Sequence, residues 1–496
     1  MFNTESTRKL FSIRSIIMIM GLMSLLIITG CNSTTEADPT GTMAGTIQLV
    51  NDINDPDMNV SDLSGVAVSV YNATVLDSSI ARINEQHPGI GIKIDQETEF
   101  DHRLVSPVAK TLTSASGQFR IEGLPFGVYN VAIFKEDWAV KYIYSVEVLN
   151  SSQVTLPDVE LHPARQLSGY MSNSFSFEDG ETYIVNNSIT FVAPVTLNTG
   201  ARIYVDQGAF VTFGSSVSVA KNAGEESYWR FDSSRGLYSN SVTVIDSTQY
   251  FPSVKFQGTV PVLSNGLFRH VSDGVLFYYG KTNISDIDIK HFNSAITFNN
   301  EGGSIQKSII RNGGNKAMQY LSQTGAISVT KCIVFKAYDG VVAYMAGGFT
   351  IEDNYFYETD TAIRPQNCSG SIRHNNFYSN RCDILQYNAS SIIEQNNFYF
   401  SKSVGVTPRT FASINGNNFY KTNAYFINIR RTDGTYSYVY ADVNATGNYW
   451  ATSEIDRYIL DGGDNINYPG QECPYVVNYL PKSSIRIATA GIRTNG

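Results

Sequence analysis

The chain has 496 residues, a formal charge of -9 and only 16% charged residues, with 30 Tyr and 27 Phe. One core rarely extends over so many residues, so we expect two or more domains; the low charge content excludes a coiled coil and is untypical of a helical cytosolic enzyme. The acidic balance offers no basic field for phosphate backbones, so we expect no nucleic-acid partner.

Residues 1–30 have the organisation of an export signal. Basic residues at positions 8, 9 and 14 precede an apolar run at 16–29, which is shorter than the ~20 residues that span a bilayer. The run ends in Ile-Thr-Gly-Cys31 and resembles the lipobox of bacterial lipoproteins. This resemblance implies that Cys31 carries lipid and anchors the mature protein to a membrane. The alternative is an ordinary signal peptide with a chance cysteine.

The residues after the cysteine bear on where the protein is anchored. Position 32 is Asn instead of Asp, so the inner-membrane retention signal of enteric lipoproteins is missing. We therefore expect lipid anchoring at the outer membrane or cell surface. Residues 31–42 are polar and lack periodicity, which predicts a flexible tether.

Short alternating strands are expected throughout residues 43–163. Apolar and polar residues alternate at 45–50, 65–70 and 127–133, which predicts a small antiparallel β-sandwich. The strand order resembles the carboxypeptidase regulatory-like domains, which have a transthyretin-like fold, at Gly65, Gly117, Phe119, Leu124, Gly127 and Tyr129. The resemblance implies a non-catalytic spacer or binding unit. Residues 74–110 form a longer segment than this family usually has, and we expect its His87 and His102 to be solvated.

The rest of the chain repeats a unit of about 21 residues. The segments IEDNYFY, IRHNNFY, IEQNNFY and INGNNFY begin at Ile351, Ile372, Ile393 and Ile414, each 21 residues after the last. The same register extends upstream to Val329, Ile305, Ile284 and Leu263, and downstream to Ala445. A second apolar column lies at Val275, Ile296, Met318, Val341, Ile363, Ile384 and Val406. Two strand positions per coil without a helical period predict a right-handed single-stranded parallel β-helix, with about nine regular coils.

Parity predicts a corner in each coil. The first Ile and the Phe five residues later should both be buried, yet alternation places such positions on opposite faces. We expect a corner ladder and an internal aromatic stack, formed respectively by Asn354, Asn375, Asn396, Asn417 and Asn448 and by Phe356, Phe377, Phe398, Phe419 and Trp450.

Residues 166–481 resemble the pectate-lyase-like bacterial β-helices in their opening coils, repeats and closing segment. The resemblance implies a scaffold and no particular activity, because many chemistries and many non-enzymes share it. We expect a short helix at 453–460 to cap the open end. Residues 482–496 are interpreted as a C-terminal tail.

One outward column contains weak catalytic candidates. The resemblance to pectate-lyase-like enzymes implies clustered carboxylates on one outward face, and this column contains Glu352, Arg373 and Glu394. The two carboxylates would be ~10 Å apart, near the upper end for inverting glycoside hydrolysis. The alternative is a surface ion-pair ladder, since Arg373 lies between them. No signature of the pectin-degrading hydrolases stands in register.

A second outward column is a candidate binding surface. Tyr357, Tyr378, Tyr399 and Tyr420 each follow an internal Phe and should form a stripe with ~5 Å steps. Flat aromatic rings with polar edges suit the apolar faces of sugars, so the stripe predicts contact with a polysaccharide. The alternative is that these tyrosines pack under a loop or simply stack on each other.

The sequence indicates no metal site and no cofactor. Cys332, Cys368, Cys382 and Cys473 lack CxxC spacing, although Cys368 and Cys382 are candidates for a disulfide, and His270, His291 and His374 are isolated.

We expect a surface-anchored lipoprotein whose β-helix binds polysaccharide, matrix or host ligands. The alternatives are a polysaccharide lyase or glycoside hydrolase at Glu352–Glu394, and a structural spacer.

Overall fold

The computed structural model describes residues 39–493, except 52–59, 151, 222–225, 244–252, 273, 279, 323, 431–438 and 468–471. The predicted signal peptide and Cys31 lie outside the described residues. The described part is all-β, with antiparallel sheets at its N-terminal region followed by a right-handed parallel β-helix of about 11 turns. This architecture confirms the predicted fold class. None of the described helices is long and apolar enough to cross a membrane.

Two sheets pack face to face at the N-terminal end. The first joins Thr40–Leu49 antiparallel to Gln118–Pro125 and parallel to Gln153–Thr155 and Val159–Leu161, so this sheet is mixed rather than purely antiparallel. The second is antiparallel, in the order Ala109–Leu112, Ala67–Asn72, Gly127–Phe134 and Lys141–Val148. Their inner faces share one core, which contains Ile47, Val68, Phe119, Val131 and Val148. The first strand begins at Thr40, within the segment predicted as tether.

A long insert, residues 73–108, leaves the second sheet and packs on the side of the β-helix. It contains the helices Ser78–Gln86 and Gln96–Glu99 and the 3-10 turn His102–Leu104. Asp77 caps the first helix by accepting the backbone N–H groups of Ser79 and Ile80. The buried face of that helix, Ile80 and Ile83, lies in one apolar cluster with residues of the β-helix. The insert therefore connects the two domains.

Each coil of the β-helix contributes three short strands rather than the two that the sequence predicted. Sheet A contains the Ile351 column, sheet B the Phe356 column and sheet C the Ile363 column. Sheet A consists of the first half of Val262–Val271 and of Thr282–Phe292, then Gly303–Gln306, Ala326–Thr330, Gly348–Glu352, Ser369–Arg373, Ser390–Glu394, Ala412–Asn415, Val443–Asn444 and Val477–Asn478. A separate sheet of Phe175–Phe177, Val195–Asn198 and Val217–Ala220 precedes it.

The other two sheets follow the same coil order. Sheet B consists of parts of Arg165–Met171, Thr182–Phe191, Val262–Val271 and Thr282–Phe292 with Arg202–Val205, Trp229–Ser233, Ile309–Gly313, Ile333–Phe335, Tyr355–Tyr357, Asn376–Tyr378, Asn397–Tyr399, Asn418–Phe419 and Tyr449–Trp450. Sheet C consists of the remaining parts of Arg165–Met171 and Thr182–Phe191 with Phe210–Phe213, Ser253–Phe256, Val275–Phe277, Ile296–Asn300, Lys316–Ser322, Asp339–Tyr344, Thr361–Gln366, Cys382–Leu385, Val404–Thr407, Tyr425–Asn428 and Ile459–Leu460.

The predicted columns are confirmed by the strand register. Ile351 pairs with Val329 on one side and Ile372 on the other, and Val341 pairs with Met318 and Ile363. The internal ring stack is also present, with centroids 4.5–5.3 Å apart from Phe356 to Trp450. A second stack in sheet C was not predicted from the sequence. It lies in the N-terminal half and consists of Phe191, Phe213, Phe256, Phe277, Phe298 and Tyr320.

The corner between sheets A and B depends on two adjacent residues. The first has a left-handed backbone, with φ of 56° at Asp353, 55° at His374 and 56° at Gln395. The second is the fully buried Asn, whose side-chain oxygen accepts the backbone N–H of the preceding Asn in the ladder, as from Asn375 to Asn396 at 2.9 Å. Non-glycine residues adopt such a backbone only where their surroundings enforce it. The ladder provides that enforcement in each of these coils.

The closing segment differs in detail from the expected capping helix. Two 3-10 turns, Ile455–Tyr458 and Gly462–Asn467, flank the last strand of sheet C. The four described cysteines are buried and free, so Cys368 and Cys382, the candidates for a disulfide, are not paired. Cys332 lies in the corner ladder, where its N–H donates to Asn354 Oδ1 at 2.9 Å.

The corner ladder gives a first prediction, on Asn396→Ala. The Asn396 oxygen accepts both Asn375 N–H and Asn375 Nδ2, and its amide donates to Ile372 O at 2.8 Å. Truncation leaves these buried groups unpaired, so the free energy of unfolding should fall by about 3 kcal/mol in urea titrations. The exposed Asn423→Ala is the control and should change little. Equal losses in the two variants would contradict a role for the ladder.

A second prediction concerns the buried carboxyl of Asp383. It accepts from Asn380 Nδ2 at 2.9 Å and contacts Ser401 Oγ at 2.5 Å. Burial raises the pKa of Asp383 to about 7. Between about pH 4 and pH 7 the carboxyl is therefore protonated in the folded protein and deprotonated in the unfolded chain. Its contribution to the free energy of unfolding is fully present below about pH 4 and is lost as the pH rises from there through 7.

Asp383→Asn should remove this pH dependence, because an amide can make the same two hydrogen bonds without a charge. Urea unfolding should find the variant more stable than the wild type at pH 8, by on the order of 3 kcal/mol, and equally stable at pH 4. The exposed Asp158→Asn serves as the control. A variant less stable than the wild type at pH 8 would show that the charged form is the one the fold holds.

Candidate functional site

The predicted tyrosines form a continuous column on the outside of sheet B. Tyr357, Tyr378 and Tyr399 are paired strand to strand, and each is half-buried. Tyr399 stacks on Tyr420 with ring centroids 4.4 Å apart, whereas Tyr357 meets Tyr378 edge to face at 5.3 Å. The rings thus contact each other, as the structural alternative anticipated, and still present part of their surface outward.

A second outward column, which the sequence analysis did not single out, runs beside the tyrosines. It contains Asn376, Asn397 and Asn418, each two residues before a tyrosine of the first column. Their amides are chained, since Asn397 Nδ2 donates to Asn376 Oδ1 at 2.9 Å and Asn418 Nδ2 donates to Asn397 Oδ1 at 2.8 Å. Sheet B therefore carries a buried row of chained amides beside the half-buried row of phenols, both with the spacing of the coils.

Most of the predicted C-terminal tail packs along the outside of sheet B. Residues 483–493, termed the C-terminal segment, run back along sheet B from the last coils. Ile487 N–H donates to Asn418 Oδ1 at 2.9 Å, Asn397 Nδ2 donates to Ala490 O at 3.1 Å, and Gly491 N–H donates to Gln395 O at 2.7 Å. The segment ends at Arg493, which contacts Asp353 at 2.5 Å. It therefore follows the amide row coil by coil.

The insert forms the opposite wall, and a cleft of about 430 Å³ lies between the two. Its floor consists of Tyr355, Asn376, Tyr378, Asn397 and Tyr399. Arg82, Gln86 and His87 line it from the insert, and Arg486, Ala488, Ala490 and Ile492 line it from the C-terminal segment. Three parts of the chain that are distant in sequence thus meet at the predicted column.

The cleft is positively charged. Arg82 and Arg486 are exposed, and the Arg486 guanidinium lies 5.7 Å from the centre of the Tyr420 ring. Burial lowers the pKa of His87, which keeps its ring neutral near pH 7, and burial raises the pKa of Tyr355 to about 12. Neither ring adds a charge, so the two arginines determine the sign of the field.

The carboxylate column is an ion-pair ladder. Glu352, Arg373 and Glu394 lie on adjacent strands in register, as predicted. Arg373 pairs with Glu394 at 2.8 Å, and Arg493 of the C-terminal segment pairs with Glu352 at 3.2 Å. Each carboxylate therefore has a guanidinium partner, which is the arrangement expected of surface support.

Buried charges hold the insert on the β-helix. Arg103 contacts Asp101 at 2.7 Å and Asp232 at 2.6 Å, and Glu99 contacts Lys290 at 3.0 Å and Arg311 at 2.5 Å. Although burial alone would raise the pKa of Asp101, the Arg103 guanidinium holds it well below its usual range. Ion pairs removed from water must be complete, so this interface tolerates few rearrangements.

One group among the described residues has the composition of a metal site. Ligand atoms of Asp101, Asp232 and His270 all lie within 4.8 Å of one another. The Arg103 guanidinium contacts both carboxylates, and His270 Nδ1 lies 3.0 Å from Asp232. The positive charge that a cation would supply is thus already present, and we assign this group to docking.

The two histidines of the insert are less exposed than the sequence predicted. His102 is 1% exposed rather than solvated, with Nδ1 2.9 Å from Tyr142 OH and Nε2 3.0 Å from Leu237 O. His270 and His291, which are isolated in the sequence, stack with their rings 5.1 Å apart. His87 is half-buried against the cleft instead of fully solvated. The one signal in the sequence was the unusual length of the insert, because a long insert with apolar residues must pack on some surface.

Comparison with known proteins identifies no family. No protein-family model and no curated protein matches the chain. One solved structure that matches is an N-terminal interface mutant of a type II cohesin-X-dockerin complex from Acetivibrio cellulolyticus, with 14% identity and a TM-score of 0.15. The match covers 25% of this chain and 58% of that chain. At this score the likeness carries no argument.

The docking charges give a third prediction, on Arg103→Leu. The change leaves two buried carboxylates without their cation, so we expect the free energy of unfolding to fall by about 3–5 kcal/mol. Hydrogen exchange should show faster exchange throughout residues 73–108. Arg120→Leu is the control, because its pair with Glu122 is exposed. Unchanged exchange in the insert of Arg103→Leu would contradict the docking role.

Proposed function

We propose that this protein binds an extended carbohydrate chain in the cleft above the tyrosine column. One observation carries the proposal: half-buried Tyr378 and Tyr399 form the floor of the cleft, beside the buried amide row of Asn376 and Asn397 that ties the floor to the C-terminal segment. Aromatic faces accept the apolar faces of sugar rings, and the phenol hydroxyls of the same tyrosines can hydrogen-bond sugar hydroxyls. The coil repeat of ~4.8 Å is close to the length of one sugar residue, so successive sugars would meet equivalent side chains.

The proposal includes a cellular setting that rests on sequence resemblance. The lipobox-like segment ending at Cys31 supports export and lipid anchoring at the outer membrane or cell surface. The resemblance of residues 43–163 to carboxypeptidase regulatory-like domains supports an accessory module, and its insert supplies one wall of the cleft. The resemblance of residues 166–481 to pectate-lyase-like β-helices supports contact with polysaccharide along a lateral face.

We prefer binding to catalysis. The lyase or hydrolase alternative requires a carboxylate available to act as acid, base or nucleophile. Glu352 and Glu394 are each engaged by an arginine, and neither lines the cleft. A purely structural spacer would not need both the insert and the C-terminal segment to enclose the tyrosine column.

The fourth prediction tests the binding site with Tyr378→Ala and Tyr399→Ala. Protein lacking only the predicted signal peptide is screened on a glycan array, and hits are titrated by calorimetry. Each variant should bind the hit at least about tenfold more weakly, because a stacking surface at the centre of the site is lost.

The control for this experiment is Tyr170→Ala, which removes a tyrosine that is 70% exposed and does not line the cleft. Thermal unfolding of all three variants verifies that they remain folded. Equal affinity of the cleft variants and the wild type, or no glycan bound by the wild type, would refute the proposed function.

A further inference from the structure

The two arginines of the cleft stand on opposite walls. Arg82 projects from the insert helix Ser78–Gln86, and Arg486 from the C-terminal segment. Both side chains are exposed, and within the described residues neither has an ion-pair partner within 4.0 Å. Arg493, on the same segment as Arg486, is by contrast neutralised by Glu352 and Asp353. Arg82 and Arg486 are therefore the cations left available to a ligand.

The two charges act at different positions along the cleft. The Arg82 charge acts on the phenol of Tyr355, whereas the Arg486 charge acts on that of Tyr399 and its guanidinium lies over Tyr420. Tyr355 and Tyr399 belong to coils two steps apart, or ~10 Å along the axis. The arginines thus act at different coils along the tyrosine floor, from opposite walls of the cleft.

No carboxylate opposes these cations at the described lining of the cleft, which otherwise consists of Tyr, Asn, Gln, Ala, Ile and His residues. Glu85, which neighbours Arg82 on the insert helix, lines a separate pocket. Guanidinium groups bind carboxylate and sulfate groups through paired hydrogen bonds, and they do so more strongly where rings and walls exclude water.

We propose that the cleft selects an anionic glycan, one bearing carboxylate or sulfate groups, and that Arg82 and Arg486 determine this selectivity. This inference rests on the proposed function, since it names the class of carbohydrate for the same site. The chain lies along the coil axis on the tyrosine floor. Its anionic groups face alternate walls, where the two guanidinium groups bind them.

The test uses three hexasaccharides: a uronic acid oligomer, its carboxyl-reduced neutral counterpart, and a sulfated glycosaminoglycan fragment. Calorimetry measures each with the wild type, Arg82→Gln, Arg486→Gln and the control Arg457→Gln, an exposed arginine outside the cleft. At least one anionic oligomer should bind the wild type about tenfold more tightly than the neutral one, with the difference shrinking as salt is raised. Comparison of the affinities for the uronic acid oligomer and the sulfated fragment shows whether the cleft prefers carboxylate or sulfate groups.

Each cleft variant should bind the anionic oligomer about tenfold more weakly and the neutral one unchanged, while Arg457→Gln behaves as the wild type. Both substituted side chains are exposed, so misfolding is not expected, and thermal unfolding checks it. Equal binding of neutral and anionic oligomers, or unchanged anionic affinity in Arg82→Gln and Arg486→Gln, overturns the inference and leaves the proposed function standing. Absence of binding by the wild type to all three, and to the glycan array, overturns both.

Discussion

The corner between sheets A and B is the constraint on which the rest of the β-helix depends. In the coils from Asn354 to Asn448 a left-handed residue redirects the chain, and the buried Asn that follows it satisfies the backbone of the adjacent coil. Because each side-chain amide bonds the backbone of the neighbouring coil, it fixes the register between the two coils. Once that register is set, parity places Phe377 inside and Tyr378 outside, and the same holds in the coils next to it.

The repeat alone forms the tyrosine column, and the cleft above it requires two non-repeating segments, the insert and the C-terminal segment. The insert is attached by buried ion pairs. The C-terminal segment is attached by hydrogen bonds to Asn397 and Asn418 and by the ion pair of Arg493 with the buried Asp353. Both walls are therefore held partly by buried charges, which are strongly destabilising when they lose their partners.

The sequence predicts what is periodic. Ile351, Asn375 and Phe398 recur at a fixed interval, so their burial, ladder and stack followed from spacing and parity alone. The unpredicted features are those without a period: His102 and Arg103 dock on partners more than 120 residues away, and Arg493 folds back on Asp353. The amide row at Asn376 was visible in the repeat, but its position in a cleft depended on walls that no local pattern encodes.

The same difference between repeating and non-repeating parts explains why the weak catalytic candidates form a structural ion-pair ladder. Arg373 and Glu394 lie in a column where equivalent positions of adjacent coils are ~4.8 Å apart, so these opposite charges pair along the stack. A β-helix column made wholly of repeat residues tends toward such self-pairing. The two cations left available in the cleft, Arg82 and Arg486, are contributed by the insert and the C-terminal segment, outside the repeat. The selectivity of the site is therefore separable from the stability of its scaffold.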